Sequence, residues 1–134
     1  MKYLLDTCAI SDFVKGDTHT LSHIKQQSPS MIAISSITLH EIQYGLALNA
    51  ARAAKISAII HDFLMPIRIL DFSQGEAIAA AEIRSQLKQQ GRPIGSFDVL
   101  LAGTALHHDL IFVTSNLKEF SRIISLKLEN WRVI

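Results

Sequence analysis

Four runs of the chain are apolar almost throughout: KYLL, MIAIS, IRIL and LIFVTS. A strand without alternation of polar and apolar residues has to bury both faces, which parallel sheets achieve when helices cover them on either side. Helical stretches lie between these runs in the alternation that such a sheet requires. CAISDFVKG closes at Gly16, HTLSHIKQQ reads as a second short helix, and from Thr38 the helical spacing of Leu39, Ile42 and Leu46 takes over. AARAAKISAIIHDFL stops at Pro66, the alanine-rich SQGEAIAAAEIRSQLKQQG stops at Gly91, and FDVLLAGTALHHD is apolar enough to be a buried helix. RPIGS is a loop, NLKEFSRI a short helix or turn, and SLKLENWRVI supplies a last edge strand. The predicted class is α/β: a three-layer α/β/α sandwich with a central parallel sheet.

A single domain over residues 1–134 is expected, since 134 residues fill one core and are too few for two. At 49% apolar and 19% charged the chain is globular, and so large an apolar share implies either a well-filled core or surface kept for a partner. A net charge of +1 argues against a protein whose whole surface is built for nucleic acid. The single cysteine, Cys8, excludes an internal disulfide and suits a reducing compartment. No basic and apolar leader opens the sequence and no apolar stretch is long enough to cross a bilayer, so a cytoplasmic protein is expected.

The first strand runs straight into Asp6. In open parallel sheets ligands bind at the carboxyl ends of the strands, and acids gather there in this sequence. Glu41 lies in the helix after the second strand, Asp98 opens the helix before the fourth, and Asn116 and Glu119 follow the fourth directly. Each has a simpler explanation when taken singly. Asp6 and Asp98 could each cap a helix, and Thr38 with Glu41 has the spacing of a capping box. Taken together they exceed what capping asks for. Clustered carboxylates repel, and no lysine or histidine accompanies every one. A hard divalent cation answers that repulsion, and Mg²⁺ bound by a few carboxylates and water would promote phosphodiester hydrolysis.

Other chemistries fit less well. The chain lacks the phosphate-cradling G-x-x-x-x-G-K-[ST], the dinucleotide G-x-G-x-x-G and the nucleophile elbow G-x-S-x-G. An aspartyl-phosphate phosphohydrolase would want an acid where Cys8 stands. His19 with His23, and His107 with His108, raise the idea of zinc, but no third ligand lies at a metal-binding spacing and surface roles are expected for them. Cys8 reads as a small buried filler.

The segments YLLDTCAISDF, ISSITLHEIQYGL, SFDVLLAGTALHHDLIFVTSNLKEFSRI and LKLENW resemble, in order and separation, the PIN-domain ribonucleases, and among them the VapC-type toxins of type II toxin–antitoxin pairs. The resemblance implies that Asp6, Glu41 and Asp98 hold Mg²⁺ (or Mn²⁺) and cut structured RNA, often an initiator tRNA. Many members carry a fourth acid just after the fourth strand. Here Asn116 takes that position as a neutral ligand, with Glu119 three residues on as a further catalytic acid, and Thr7 and Thr114 supporting through their hydroxyls. The resemblance further implies a homodimer, a VapB-like cognate antitoxin that silences the cleft, and no membrane association. It leaves open whether one or two ions bind. Lys88, Arg92, Lys118 and Arg122 are expected to meet RNA near the same loops, and a groove along AARAAKISAIIHDFL to receive the antitoxin. A catalytically silent PIN-like binding module is the alternative.

Overall fold

The structure is a computed structural model that describes residues 1–133. The chain runs β1 (Tyr3–Leu5), α1 (Thr7–Lys15), α2 (Thr18–Lys25), a 3₁₀ turn (Pro29–Met31), β2 (Ile32–Ser35), α3 (Ser36–Leu48) and α4 (Ala50–Leu64). It continues through β3 (Arg68–Leu70), α5 (Gln74–Gln89), α6 (Ser96–His107), β4 (Ile111–Val113), α7 (Leu117–Phe120) and β5 (Leu128–Glu129). The five strands form one sheet in the order β3-β2-β1-β4-β5, and every neighbouring pair is parallel. This is the expected α/β architecture with its central parallel sheet.

Alternation along the strands divides the core in two. Leu4, Ala33, Leu70 and Phe112 point to the side covered by α5, α6 and α7, where they meet Ile83, Leu87, Leu101, Ala105 and Phe120. Tyr3, Leu5, Ile32, Ile34 and Val113 point the other way and meet Ala9, Ile10, Ile42 and Ile60 of α1, α3 and α4. A strand with both faces buried has no need of polar alternation, which is why these runs read as continuous apolar segments. The edge strand β3 departs from that rule. Arg68 and Ile69 are exposed there and Leu70 alone is buried, as β3 has β2 on one side and is the edge of the sheet among the described residues.

Helix boundaries follow local chemistry. Gly16 at φ 82° closes α1, a left-handed position that a side chain would strain. The third helix begins two residues earlier than its apolar spacing suggests: Ser35 caps it by accepting from the Ile37 N–H at 3.0 Å, which places Thr38 inside the first turn. No Thr38–Glu41 capping box forms. On the other face, α5 and α6 pack in close contact. A Cβ on Gly103 would lie 2.6 Å from the Ala80 backbone nitrogen, so the glycine sets the distance between the two helices.

Candidate active site

Strand order decides where the acids meet. From β1 the chain lays β2 and β3 on one side and β4 and β5 on the other, so β1 and β4 flank the point where the order reverses. The connections after these two strands leave on opposite faces, and a crevice opens between them at the carboxyl edge. Asp6 ends β1, and Thr114 and Asn116 follow β4. The helix α6 starts at this edge and runs back to deliver β4, which places Asp98 in its first turn beside the crevice.

Asp6 is 5% exposed and has two roles at once. Its Oδ1 accepts the Ala9 N–H at 2.8 Å and so caps α1. Burial nevertheless pushes its carboxyl from 3.8 to about 6, against hydrogen bonds from Thr114 and Ala9 that favour the charged form, with Asp12 and Glu41 adding repulsion. Asp98 also rises from 3.8 to about 6, through burial first, then the charge and hydrogen bonding of Glu119, then Asp6 and Glu41. That coupling joins Asp6, Glu41, Asp98 and Glu119 electrostatically, and no lysine or arginine stands among the main influences on Asp6 or Asp98. Asp98 is not a cap: Gly95 occupies the N-cap of α6, and Asp98 is the third helical residue.

Asn116 does more than replace an acid. Its side-chain amide donates to Glu119 Oε2 at 3.1 Å, and its backbone N–H donates to Thr114 Oγ1 at 3.0 Å. The Thr114 side chain in turn favours the charged form of Asp6, and the Asp6 N–H donates to the Val113 carbonyl at 3.1 Å, so the end of β4 is tied to the end of β1. Thr7 Oγ1, one residue beyond Asp6, is buried without a hydrogen-bond partner, as is Thr38 Oγ1. Asp12, whose charge adds to the repulsion on Asp6, is held in an ion pair of its own. Arg132 clamps its two oxygens at 2.7 and 2.8 Å, a pairing across 120 residues that no local sequence signal announces.

A hard divalent cation fits this donor set. The ligand atoms are all oxygens, two carboxyls are held back from ionising by burial and by each other, and the unpartnered Thr7 hydroxyl lies next to Asp6. The spacing is open. Among the described residues, the group whose ligand atoms all lie within 4.8 Å of one another is Glu76, His107 and His108, not the acids. The carboxylates therefore suit a cation that keeps several waters among its ligands.

Two grooves flank the acids. Thr7, Ile10, Glu41, Ile42, Arg52 and Ile56 line one between α1, α3 and α4. Arg84, Lys88, Pro93, Ile94 and Ser96 line another beside the start of α6. Lys88 was expected there, whereas Arg84 was not, since a lone arginine on an amphipathic helix gives no sign of what it faces. Arg122 donates to the Pro93 carbonyl at 3.1 Å, bracing the loop before Asp98. Arg92 and Lys118 are exposed. Cys8 is exposed rather than a buried filler, because the first turn of α1 turns Ala9 and Ile10 inward instead.

The family model described as PIN domain matches residues 3–125, and the chain belongs to the PIN-domain family. It is 33% identical to the tRNA(fMet)-specific endonuclease VapC of Salmonella typhimurium over 131 residues, 98% of each chain. It is 37% identical to the ribonuclease VapC2 of Rickettsia felis over 133 residues, again 98% of each. The structure of DNA-bound VapBC from Salmonella typhimurium superimposes with a TM-score of 0.90 at 32% identity, covering 98% of both chains. Within the family, then, the chain groups with the VapC ribonucleases of toxin–antitoxin systems, and nuclease activity is supported for it. No helix among the described residues is long and apolar enough to cross a membrane.

Proposed function

We propose that the protein is a Mg²⁺-dependent endoribonuclease toxin that cuts a structured RNA, an initiator tRNA in the first instance, and so stops translation in the cytoplasm. The observation that carries this reading is the electrostatic coupling of Asp6, Glu41, Asp98 and Glu119 at the β1–β4 crevice, with the Asp6 and Asp98 carboxyls raised to about 6 by burial and by neighbouring acids. Asp6, Glu41, Asp98 and the Asn116 amide hold Mg²⁺ (or Mn²⁺), one or two ions. When bound, the cation polarises the scissile phosphoryl group and lowers the pKa of water. Asp6 is held in place by its own helix cap, which orients the carboxyl without side-chain rearrangement. Glu119 is oriented by Asn116, and Asp98, its carboxyl raised to about 6, is able to hold a proton and exchange it with a reacting oxygen. Arg84, Lys88, Arg92, Lys118 and Arg122 steer the RNA backbone toward the acids.

Relatives solved as VapBC complexes support a VapB-like antitoxin for this chain. The groove between α1, α3 and α4, lined mainly by apolar side chains with Thr7, Ser11, Glu41 and Arg52 among them, suits an apolar helix with a polar tail reaching the crevice. Exposed Tyr44, Leu48, Ile59 and Met65 on and near α4 favour a homodimer as well. The test is cleavage of total RNA and of initiator tRNA by purified protein, with 5′ ends mapped. Discrete cuts that need Mg²⁺, vanish with chelator and vanish in Asp98→Asn are expected. RNA left intact by folded protein in Mg²⁺ or Mn²⁺ would favour the silent binding module.

A further inference from the structure

The sequence places His107 and His108 side by side without a third ligand; the fold supplies one. His107 is the last residue of α6 and His108 its C-cap, at φ −95° and ψ 2°, followed by Asp109 at φ 53°. In a continuing helix successive side chains diverge by about 100°. Here the chain is leaving the helix, and the two rings meet edge to face with centroids 4.9 Å apart. Both Nε2 atoms face Glu76, in the first turn of α5 and 5% exposed. His108 Nε2 lies 3.4 Å from Glu76 Oε2 and His107 Nε2 lies 3.8 Å from Oε1. One atom from each residue falls within a common 4.8 Å. The cluster stands nine positions along α6 from Asp98, about 13 Å at helical rise.

We propose that Glu76, His107 and His108 form a metal site separate from the acidic crevice, for a transition ion of the Zn²⁺ class, which clamps the start of α5 to the end of α6. Zn²⁺ bonds of about 2.0–2.1 Å in a tetrahedron set ligand atoms about 3.3 Å apart. His108 Nε2 already lies 3.4 Å from Glu76 Oε2, and the other separations of a set with one atom per residue, all within 4.8 Å, have at most about 1.5 Å to close. His107, with a side chain 44% exposed, is free to make the adjustment. A buried glutamate needs one hydrogen-bonding partner, which His108 provides; His107 at 3.8 Å makes no hydrogen bond and is a ligand in excess of that need.

The seat for that ring is built into the opposite helix. A Cβ on Gly75 would lie 2.2 Å from His107 Cε1, so the ring occupies space that only glycine leaves. The close α5–α6 contact at Gly103 and Ala80 holds the two backbones at fixed spacing. Little conformational freedom is left to lose when an ion draws the ligands together. Donor type then divides the ions: two imidazoles and one carboxylate favour Zn²⁺ or Co²⁺, whereas the all-oxygen crevice favours Mg²⁺. Three protein ligands leave a fourth position for water.

The experiment titrates metal-stripped full-length protein with Co²⁺ and follows visible absorption, because four-coordinate Co²⁺ with nitrogen ligands absorbs far more strongly than six-coordinate Co²⁺ among oxygens. The wild type should develop the strong band at one equivalent, lose it to Zn²⁺ and keep it in excess Mg²⁺. His107→Ala and Glu76→Gln should bind at least about tenfold more weakly, since even outer-shell changes at metal sites cost 10–100-fold. Asp98→Asn should keep the band. Far-UV circular dichroism and the metal-free melting point of His107→Ala establish that this variant is folded. Absence of the band in wild type, its persistence in folded His107→Ala, or its loss in Asp98→Asn would each overturn the proposal.

Discussion

Asp6 is the residue at which stability and function oppose each other most directly, and Asp6→Asn separates them. Asparagine caps a helix as well as aspartate does, so the Ala9 N–H keeps its acceptor while the charge goes. In the folded protein the Asp6 carboxyl sits at about 6 instead of 3.8. Between those values the native state holds a proton that the unfolded chain releases. Stability therefore falls as pH rises through that window, and the penalty is complete above about 6. A rise of about 2 pKa units corresponds to about 3 kcal/mol. Loss of the favourable charge at the start of α1 offsets up to about 1 kcal/mol of that gain. In chelator at pH 7.5 the variant should therefore be more stable by about 2 kcal/mol, or roughly 6–8 °C in melting temperature for a chain of this length. Near pH 4 the two proteins should melt together. Saturating Mg²⁺, at 100 times its Kd, should add about 2.7 kcal/mol to the wild type and little to the variant, closing the gap. The assay is thermal melting by circular dichroism at several pH values, with and without Mg²⁺. An Asp6→Asn protein that melts below wild type at pH 7.5 without metal, or whose advantage persists unchanged at pH 4, would refute the burial-and-repulsion account of this site.

Asp98→Asn should lower Mg²⁺-dependent RNA cleavage by at least roughly a hundredfold, the upper end of what removing outer-shell partners costs. Because protons compete with the cation at Asp6 and Asp98, both near 6, wild-type cleavage at sub-saturating Mg²⁺ should fall as pH drops through 6 and recover when Mg²⁺ is raised. A pH–rate profile that ignores Mg²⁺ concentration would count against that competition. Asn116→Asp replaces the amide that donates to Glu119 at 3.1 Å with a like charge. Two like charges relaxing to about 4 Å apart repel by up to about 4 kcal/mol at an effective dielectric near 20, which should lower the metal-free melting point and raise Mg²⁺ affinity, both read from one melting series. Gly103→Ala forces a methyl against the Ala80 backbone and should cost about 1–3 kcal/mol in urea unfolding.

The sequence determined the class of fold by itself, for a physical reason. Strands buried on both faces must be apolar throughout, and YLL, IAIS and IFV are; helices must start and stop at caps and breakers, and Gly16, Pro66 and Gly91 mark three of the ends. The same logic put Asp6 at the end of β1 and Asp98 and Asn116 around β4. Where local rules compete, reading the chain fell short. Ser35 and Thr38 are both good caps, and only the path of β2 into α3 chose Ser35. Gly95, with no side chain, took the cap that Asp98 was equally able to fill, which released that carboxyl to the crevice. Strand order was invisible in sequence, because a parallel sheet can be wound either way from its first strand. Placing β4 beside β1 is what made a crevice of four separate segments. Tertiary structure alone decided the rest: Arg132 neutralising Asp12, Asn116 turning toward Glu119, and Glu76 meeting His107 and His108 across the α5–α6 contact. Each joins residues that share no turn of chain with all their partners or whose rotamers depend on packing, and pairwise distances of that kind are set by the fold and not by spacing along the sequence.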